Sequence, residues 1–245
     1  MSEIIKNRAI VLKKIDFGES SKIATFFTEE RGKISAIIKG AKSPKSKIGK
    51  LIEPLNTVDI VYYDKPTRDI QIITQVDLIY YPKFCLDNLE KLKYAMATIE
   101  LIDKITIDND VHLKLFKGLN KILKLINETQ TSADYLFLKF FLFFIKEIGY
   151  ELQTENCVYC GKDKLENEII GFSNEVGLIC DNCSEGHLVS FRFSKELFNF
   201  FNCLSQRNLN INYNRDYVQI LIKFLENYLI YHIPEFKGIK SLKML

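Results

Sequence analysis

The sequence predicts an α+β protein in which a strand-rich first third is followed by a helical remainder. The first 80 residues form short segments rich in Ile, Val, Thr, Phe and Tyr, separated by turn-forming residues. From Leu86 onwards, apolar residues recur at helical spacing instead, and two pairs of cysteines interrupt that pattern. We therefore predict a barrel domain over residues 1–80 and a helical domain over residues 81–245, with a cysteine-rich insertion at about 154–193.

Five strands are predicted in the first domain. Five short strands in so little sequence suit a small barrel, of which the OB-fold is one example that binds single strands and oligonucleotides. An SH3-like barrel would give a similar pattern, so the periodicity alone leaves both open. A long connection, Gly40–Pro54, follows the third strand. The predicted strands are Ile5–Ile15, Ser21–Thr28, Lys33–Lys39, Thr57–Tyr63 and Asp69–Leu78.

Helical spacing predicts five helices after Pro82. Asp110 and Ser132 are the predicted N-caps of the second and third helices, and Gly149 is expected to end the third. The predicted helices are Leu89–Lys104, Val111–Ile126, Ala133–Ile148, Ser194–Leu204 and Asn214–Tyr231.

The most apolar run of the chain, Tyr135–Ile145, is too short to span a membrane. It is interrupted by Lys139, and a spanning helix needs roughly 20 residues, so a buried helix is expected. Charged residues follow Met1 where a secretory signal would have an apolar core. The expected location is therefore the cytoplasm.

Four cysteines form the strongest local motif. Cys157 and Cys160 make one C-x-x-C pair, Cys180 and Cys183 make another, and the interval between the pairs is typical of a four-cysteine zinc site. Four thiolates close a tetrahedral coordination sphere, so we predict one structural Zn²⁺ with no open position for catalysis. The alternative is a set of unpaired or redox-active thiols, although a redox motif needs only one such pair.

The other cysteines and a nearby histidine have simpler interpretations. His187 follows Cys183 by four residues and is a competing candidate ligand, but we expect it to be a solvated residue of a loop. Cys85 and Cys203 lack partners at ligand spacing and are expected in the core.

A basic window, Arg31–Lys50, is the second signal. Seven of the 34 basic residues lie in it with no acidic residue, which leaves 27 basic against 31 acidic residues in the rest of the chain. A cationic loop of this kind suits the tracking of a phosphate backbone, whereas the alternative is a soluble, flexible loop. Phe26, Phe27, Tyr62 and Tyr63 lie on neighbouring predicted strands, where one ring of each adjacent pair is expected to point outwards. The candidate DNA-binding residues are Arg31, Lys33, Lys39, Lys42, Lys45 and Lys47.

Catalytic motifs are missing from the sequence, and no catalytic residue is proposed. The phosphate-binding, dinucleotide-binding, metalloprotease and nucleophile-elbow patterns do not occur. The three histidines are scattered, and the carboxylates have no spacing typical of a metal-dependent nuclease. A protein that is not an enzyme is expected.

Together these features resemble the RecO family of bacterial recombination mediators and DNA-repair proteins. The resemblance follows the same order along the whole chain, around the four-cysteine insertion. The stretches that carry it are Ala9–Leu12 with Phe17–Lys22, Thr28–Lys33 with Lys39–Ser46, the two cysteine pairs with Gly161, and the ending Ile239–Leu245.

The resemblance implies an N-terminal OB-fold, a helical body and an inserted zinc module. It further implies binding to single- and double-stranded DNA, annealing of complementary strands, and work in the RecF pathway. A protein with this role is expected to be nucleoid-associated within the cytoplasm. The implied partners are RecR, single-strand binding protein and, through loading onto coated strands, the recombinase RecA. Single-strand binding proteins end in an acidic tail with an apolar terminus. A receiver for that tail needs an apolar pocket with cations at its rim. Candidate rim charges are Lys237, Lys240 and Lys243.

Two other protein classes share these features. A zinc-ribbon transcription or translation factor built on a barrel would have the same cysteines and basic window, but it would not anneal strands. A nuclease with an unrecognised site is the third possibility.

Overall fold

A computed structural model describes residues 3–162, 169–205 and 212–243. The chain divides into two compact units, which are described separately. The first unit contains residues 1–137 and 239–245, and the second contains residues 138–238. Within the described ranges, no helix is both long and apolar enough to cross a membrane.

The first unit begins with a closed barrel of five strands, which confirms the predicted N-terminal strands. Neighbouring strands are antiparallel except β3 and β5, which are parallel, and the order around the barrel is β1-β2-β3-β5-β4. Strand β1 is shared, since its first part pairs with β4 and its later part with β2. The strands are β1 (Glu3–Phe17), β2 (Ser21–Thr28), β3 (Gly32–Ile38), β4 (Thr57–Asp64) and β5 (Ile70–Tyr80).

Alternate side chains of the strands fill the barrel. Along β3, every second residue from Gly32 to Ile38 is buried and the residues between them are half-exposed, the pattern of a strand with one core face. Phe26 of β2 and Tyr62 of β4 are the largest side chains of this core, and both are almost fully enclosed.

A short helix corrects the prediction that the connection after β3 is only a loop. Helix α1 (Lys47–Leu51) begins at Ser46, whose side chain accepts a hydrogen bond from the Gly49 N–H, as an N-cap does. Ile48 and Leu51 pack against the barrel core. The helix exists because these two apolar side chains cover the core between β3 and β4, a tertiary contact that the local composition does not reveal.

Three further helices follow the barrel in the first unit: α2 (Lys83–Leu86), α3 (Leu89–Ile105) and α4 (Leu113–Glu128). The ring of Phe116 on α4 lies 6.2 Å from that of Phe27 on β2, so α4 covers the outside of that strand. Asp110 is not the N-cap of α4, contrary to prediction. The helix begins after His112, and the Asp110 carboxylate lies 3.0 Å from the His112 ring instead.

The end of the chain returns to α3 as a short 3₁₀ helix, Lys240–Lys243. The Glu100 carboxylate accepts hydrogen bonds from the backbone N–H groups of Lys240 and Ser241, both at 2.8 Å. Burial opposes ionisation of Glu100, but these bonds and the Lys104 ammonium favour the carboxylate more strongly, and the net effect lowers the pKa of Glu100.

Helix α5 (Ala133–Glu147) begins in the first unit and ends in the second, and it contains the predicted buried apolar run. Gly149 follows the end of the helix and stops it, as predicted. Gly149 has a φ of +86°, and the Tyr150 N–H donates to the Ile145 carbonyl in the pattern of a Schellman motif.

The second unit combines a small sheet with two long helices. The three strands were not predicted, and they form a sheet of order β7-β6-β8. Phe172, Phe193 and Phe224 pack edge to face with centroids 5.1–6.4 Å apart and join the sheet to α8. The remaining elements are β6 (Ile169–Ser173), β7 (Gly177–Ile179), α6 (Asp181–Ser184), β8 (Phe191–Ser194), α7 (Lys195–Ser205) and α8 (Arg215–His232).

Gly49 provides a test of how α1 fits against the chain before it. A Cβ atom at Gly49 would lie 2.0 Å from the Ala41 carbonyl oxygen, so a substitution forces the backbone apart. We expect Gly49→Ala to lower the free energy of unfolding by about 3 kcal/mol, as overpacked sites do. Gly40→Ala is the control, since a Cβ there meets no atom within 4 Å and only its φ of +70° is strained. Its expected cost is about 1 kcal/mol. Equal losses in urea unfolding would contradict this account.

Candidate metal centre and nucleic-acid interface

The four predicted cysteine ligands meet at one point. The sulfur atoms of Cys157, Cys160, Cys180 and Cys183 all lie within 4.8 Å of one another, and Cys160 Sγ lies 3.7 Å from Cys180 Sγ. A tetrahedral ion with metal–sulfur bonds of ~2.3 Å has sulfur separations of about 3.8 Å. The geometry of the four thiols therefore fits a metal ion.

Both halves of this cluster are built from tight turns tied to strand β7. The Gly161 N–H donates to the Cys157 carbonyl at 2.8 Å, and the positive φ of Gly161 (+72°) closes the first turn. The Val158 N–H donates to Leu178 on β7 at 2.9 Å, and Cys180 follows β7 directly. Pairing with one strand thus brings together two cysteine pairs that are distant in the sequence.

Backbone dipoles at the cluster favour a negative sulfur. Burial alone would raise the pKa of Cys157, but N–H groups of Cys180, Cys160 and Tyr159 point at it and lower the pKa to about 6. The hydrogen bond with Cys180 and partial burial raise the pKa of Cys183 to about 12. A first thiolate therefore forms readily, whereas the fourth needs a positive ion to offset the charge of its neighbours.

The neighbouring His187 is exposed and lies outside the group of sulfur ligands. Its ring stacks on that of Tyr159 with centroids 3.7 Å apart. Cys85 is buried in the first unit, and Cys203 is half-buried in the second; neither joins the cluster.

The structure divides the candidate DNA-binding residues into groups. Lys39, Lys45 and Lys47 are exposed on the connection after β3, together with Lys50, and have no ion-pair partner within the described residues. We call these four lysines the cationic connection. Arg31 is also exposed, but it lies in the turn before β3, at the opposite end of that strand and beside Glu29 and Glu30.

Lys33 and Lys42 have partners within the protein. The Lys33 ammonium donates to the carbonyls of Asp103 and Thr106 at 2.7 and 2.6 Å and lies 3.2 Å from the Asp108 carboxylate. Its side chain is only 12% exposed, so Lys33 holds the end of α3 against the barrel. Lys42 lies 3.4 Å from the Asp16 carboxylate and 3.3 Å from the Gly18 carbonyl.

Three of the four aromatic residues singled out on the strands are core residues. Phe26 and Phe27 are both fully buried, because the first faces the barrel interior and the second lies under α4. Tyr62 is buried as well, and only Tyr63 is exposed.

Helix α4 presents a second cationic surface that the sequence patterns above did not predict. Helix α4 carries four exposed lysines at intervals of three or four residues, which places them on one face. No acidic residue occurs from Val111 to Asn127. The pattern that identified Arg31–Lys50, several basic residues without an acidic one, also identifies this segment. The lysines of this α4 stripe are Lys114, Lys117, Lys121 and Lys124.

The three C-terminal lysines are exposed at separate positions. The Lys237 ammonium donates to the Pro234 carbonyl at 2.6 Å. Lys240 and Lys243 belong to the 3₁₀ helix of the first unit, where the Lys240 backbone is bound by Glu100.

The comparisons with known proteins agree along the chain. Residues 1–82 match the family described as Recombination protein O N terminal, and residues 86–243 match Recombination protein O C terminal. The chain therefore belongs to the recombination protein O (RecO) family.

Individual relatives carry a consistent name. A DNA repair protein RecO from Chlorobium limicola is 36% identical over 159 residues, which are 65% of this chain and 61% of that protein. The relative from Chloroherpeton thalassium is 36% identical over 166 residues, or 68% of this chain and 64% of its own length. The relative from Clostridium perfringens is 32% identical over 207 residues, or 84% and 82%. The chain thus spans slightly over three fifths of the first two relatives.

Proposed function

We propose that this protein is a DNA repair and homologous recombination mediator that binds single- and double-stranded DNA and anneals complementary strands. The names of its relatives support the repair role. The observation that carries DNA binding is the cationic connection, an exposed group of lysines without acidic partners. Attraction to phosphates through counterion release needs such a surface.

We propose that the barrel is an OB-fold, a fold that suits this role. Its five strands close in the order β1-β2-β3-β5-β4, and α1 lies between β3 and β4. OB-folds are small Greek-key barrels that commonly bind oligonucleotides. The cationic connection belongs to this barrel, at the end of β3.

Annealing needs no chemical step, which fits a protein that is not an enzyme. Two DNA strands repel each other through their phosphates, and a surface that holds both lowers that barrier. The cationic connection and the α4 stripe are two such surfaces in the first unit. We assign one DNA strand to the cationic connection and the other to the α4 stripe.

We further propose that the cysteine cluster holds one structural Zn²⁺. Cys157, Cys160, Cys180 and Cys183 would hold it through four thiolates. Such an ion contributes folding energy and joins the two cysteine turns. The chain itself contributes the backbone N–H groups directed at Cys157, which stabilise its thiolate.

RecR, single-strand binding protein and, functionally, RecA and RecF are the proposed partners. The acidic, apolar tail of single-strand binding protein needs an apolar pocket with cations at its rim. The C-terminal lysines Lys237, Lys240 and Lys243 are one candidate. A second is a cavity of about 210 Å³ in the second unit, lined by Leu142, Phe143 and Lys146. The Lys146 ammonium is ion-paired with Glu151 of the same cavity, so an acidic tail would compete with that carboxylate.

Titration of a labelled acidic peptide with an apolar end separates these two surfaces. We expect Lys146→Glu to weaken binding at least tenfold if the cavity receives the tail, and Lys240→Glu to do so if the C-terminal lysines receive it. Unchanged affinity in both variants would contradict tail binding at either place.

The zinc assignment predicts about one zinc per chain by metal analysis. Cys180→Ser should lose the metal and destabilise the second unit severely, since structural zinc contributes ~10–16 kcal/mol to small modules. Cys203→Ser is the matched control, because this thiol is outside the cluster, and it should keep the metal. A stable wild-type protein without metal would contradict the assignment.

For DNA binding, the test is the salt dependence of affinity for a single-stranded oligonucleotide. Each lost phosphate contact lowers the slope of log affinity against log salt by about 0.7. The double variant Lys45→Glu/Lys47→Glu should therefore bind weakly, with a slope reduced by about 1.4. Lys83→Glu/Lys237→Glu makes the same change in net charge elsewhere and should retain the slope. An unchanged slope in the first variant would remove the cationic connection from the interface.

Annealing of complementary oligonucleotides distinguishes the mediator from the other classes. Lys114→Glu/Lys117→Glu/Lys121→Glu should slow annealing at least tenfold while single-strand affinity changes little, because the second strand loses its surface. The wild-type protein should not cleave either strand with added Mg²⁺ or Mn²⁺. DNA binding without annealing would favour a zinc-ribbon factor, and cleavage would favour a nuclease.

A further inference from the structure

Phe17, the last residue of β1, is an aromatic residue exposed on the outward face of the barrel. It is 51% exposed, and Ile15, two residues earlier on the same face, is 59% exposed. The register of β1 against β2 shifts by one residue between Val11 and Lys13, as at a β-bulge. Odd-numbered residues of β1 therefore face the core up to Val11 and face outwards from Lys13 onwards.

Ile15 begins a row of apolar side chains that crosses the barrel from strand to strand. Residues directly opposite each other in neighbouring strands point to the same face. The row continues through Ile23 on β2, Ile37 on β3, Ile72 on β5 and Tyr63 on β4, each paired with the one before it. The isoleucines after Ile15 are half-exposed and Tyr63 is 39% exposed, so the row is open to solvent. Four strand spacings make it about 19 Å wide.

The charges beside this row favour a polyanion. Strands β2 and β3 contain no acidic residue. Ser21 on β2 pairs with Phe17, and the register of β2 with β3 places the exposed Lys39 on the other side of Ser21. Two strand spacings, about 10 Å, therefore separate the backbones of Phe17 and Lys39.

The chain after β3 continues beside the turn that follows Phe17. The Lys42 N–H donates to the Ser20 carbonyl at 3.0 Å, and the Lys42 ammonium lies 3.4 Å from the Asp16 carboxylate. Glu19 is the other acidic residue of this turn, and the four lysines of the cationic connection outnumber it. An exposed ring and an apolar sheet face thus lie beside a segment that attracts phosphates.

We propose that this outward face takes the unpaired bases of single-stranded DNA, with one base stacked on the Phe17 ring. The proposal rests on the proposed DNA-binding function and adds to it a residue that distinguishes a single strand from a duplex. Proteins that bind single strands combine a cationic groove with aromatic rings on which bases stack. In a duplex the bases already stack on one another, so the lysines can bind its phosphates but Phe17 has no base to hold.

A single introduced indole tests the stacking directly. The sequence contains no tryptophan, so Phe17→Trp gives the full-length protein one indole, at the proposed position. Titration with a dodecamer of thymidylate should quench its emission saturably, because a stacked base contacts the ring. An abasic strand of the same length has the same phosphates, and it should bind without quenching.

Phe84→Trp is the matched control for this titration. Phe84 is 59% exposed in the same unit but lies on α2, outside the sheet face. Its indole should keep its emission when the dodecamer binds. Equal quenching in the two variants, or no quenching at position 17 while the strand binds, would overturn the proposal.

Phe17→Ala tests the contribution to affinity. It should weaken binding of the dodecamer about tenfold, since one base–ring stack is lost. The salt slope should stay as in the wild type, because no phosphate contact is lost, and affinity for a duplex or for the abasic strand should also stay. Phe84→Ala should leave all these values unchanged. Wild-type affinity for the dodecamer in Phe17→Ala would contradict the assignment.

Two further outcomes separate this proposal from others. If Lys45→Glu/Lys47→Glu lost DNA binding while Phe17→Ala kept it, the DNA-binding role would stand and only the stacking assignment would be wrong. If the wild-type protein bound neither form of DNA, both would be wrong. Sedimentation of the free proteins covers the remaining occupant: a dimer in the wild type that Phe17→Ala dissociates would show that the face binds a second copy, and would also overturn the proposal.

Discussion

Separation of charge along the chain is the physical constraint on which the proposed function depends. The formal net charge is only +3, and four thiolates around a Zn²⁺ would reduce it to about +1, because the site itself carries −2. Such a protein cannot attract DNA through its total charge. It can do so only where cations are gathered without acids, as they are in Arg31–Lys50 and Val111–Asn127. Ile4–Ile15 also lacks acidic residues, but three of its four cations form ion pairs with acids elsewhere in the chain. The first two segments lie in the first unit, on the connection after β3 and on helix α4.

The cations of an acid-free segment are not all equally available to DNA, because the fold gives some of them partners within the protein. Lys33 alternates with buried residues of β3, so its side chain emerges where α3 ends, and three oxygen atoms of residues 103–108 surround its ammonium. Those oxygens are some seventy residues away in sequence. The pattern of β3 therefore predicted that Lys33 points outwards, but only the structure shows that a helix lies there. The four lysines of the cationic connection lie beyond the strand, and none of them has an ion-pair partner within the described residues.

What could be predicted from the sequence was local, and what could not be predicted depended on distant contacts. The five barrel strands, the long helices and the spacing of the cysteines follow from periodicity and motif within short windows. Helix α1 exists because Ile48 and Leu51 meet the barrel core, and β7 is a strand of three residues that pairs with β6. Phe26 and Phe27 are both buried because β2 lies between the barrel interior and α4. The rule that one of two adjacent rings faces solvent fails wherever a second layer covers the sheet.

The two ends of β3 are far enough apart that charges at one end act only weakly at the other. The seven residues of this strand span about 20 Å at ~3.3 Å each, which exceeds the Debye length of about 8 Å at physiological ionic strength. Glu29 and Glu30 before the strand therefore do little to weaken attraction of a phosphate to the cationic connection after it.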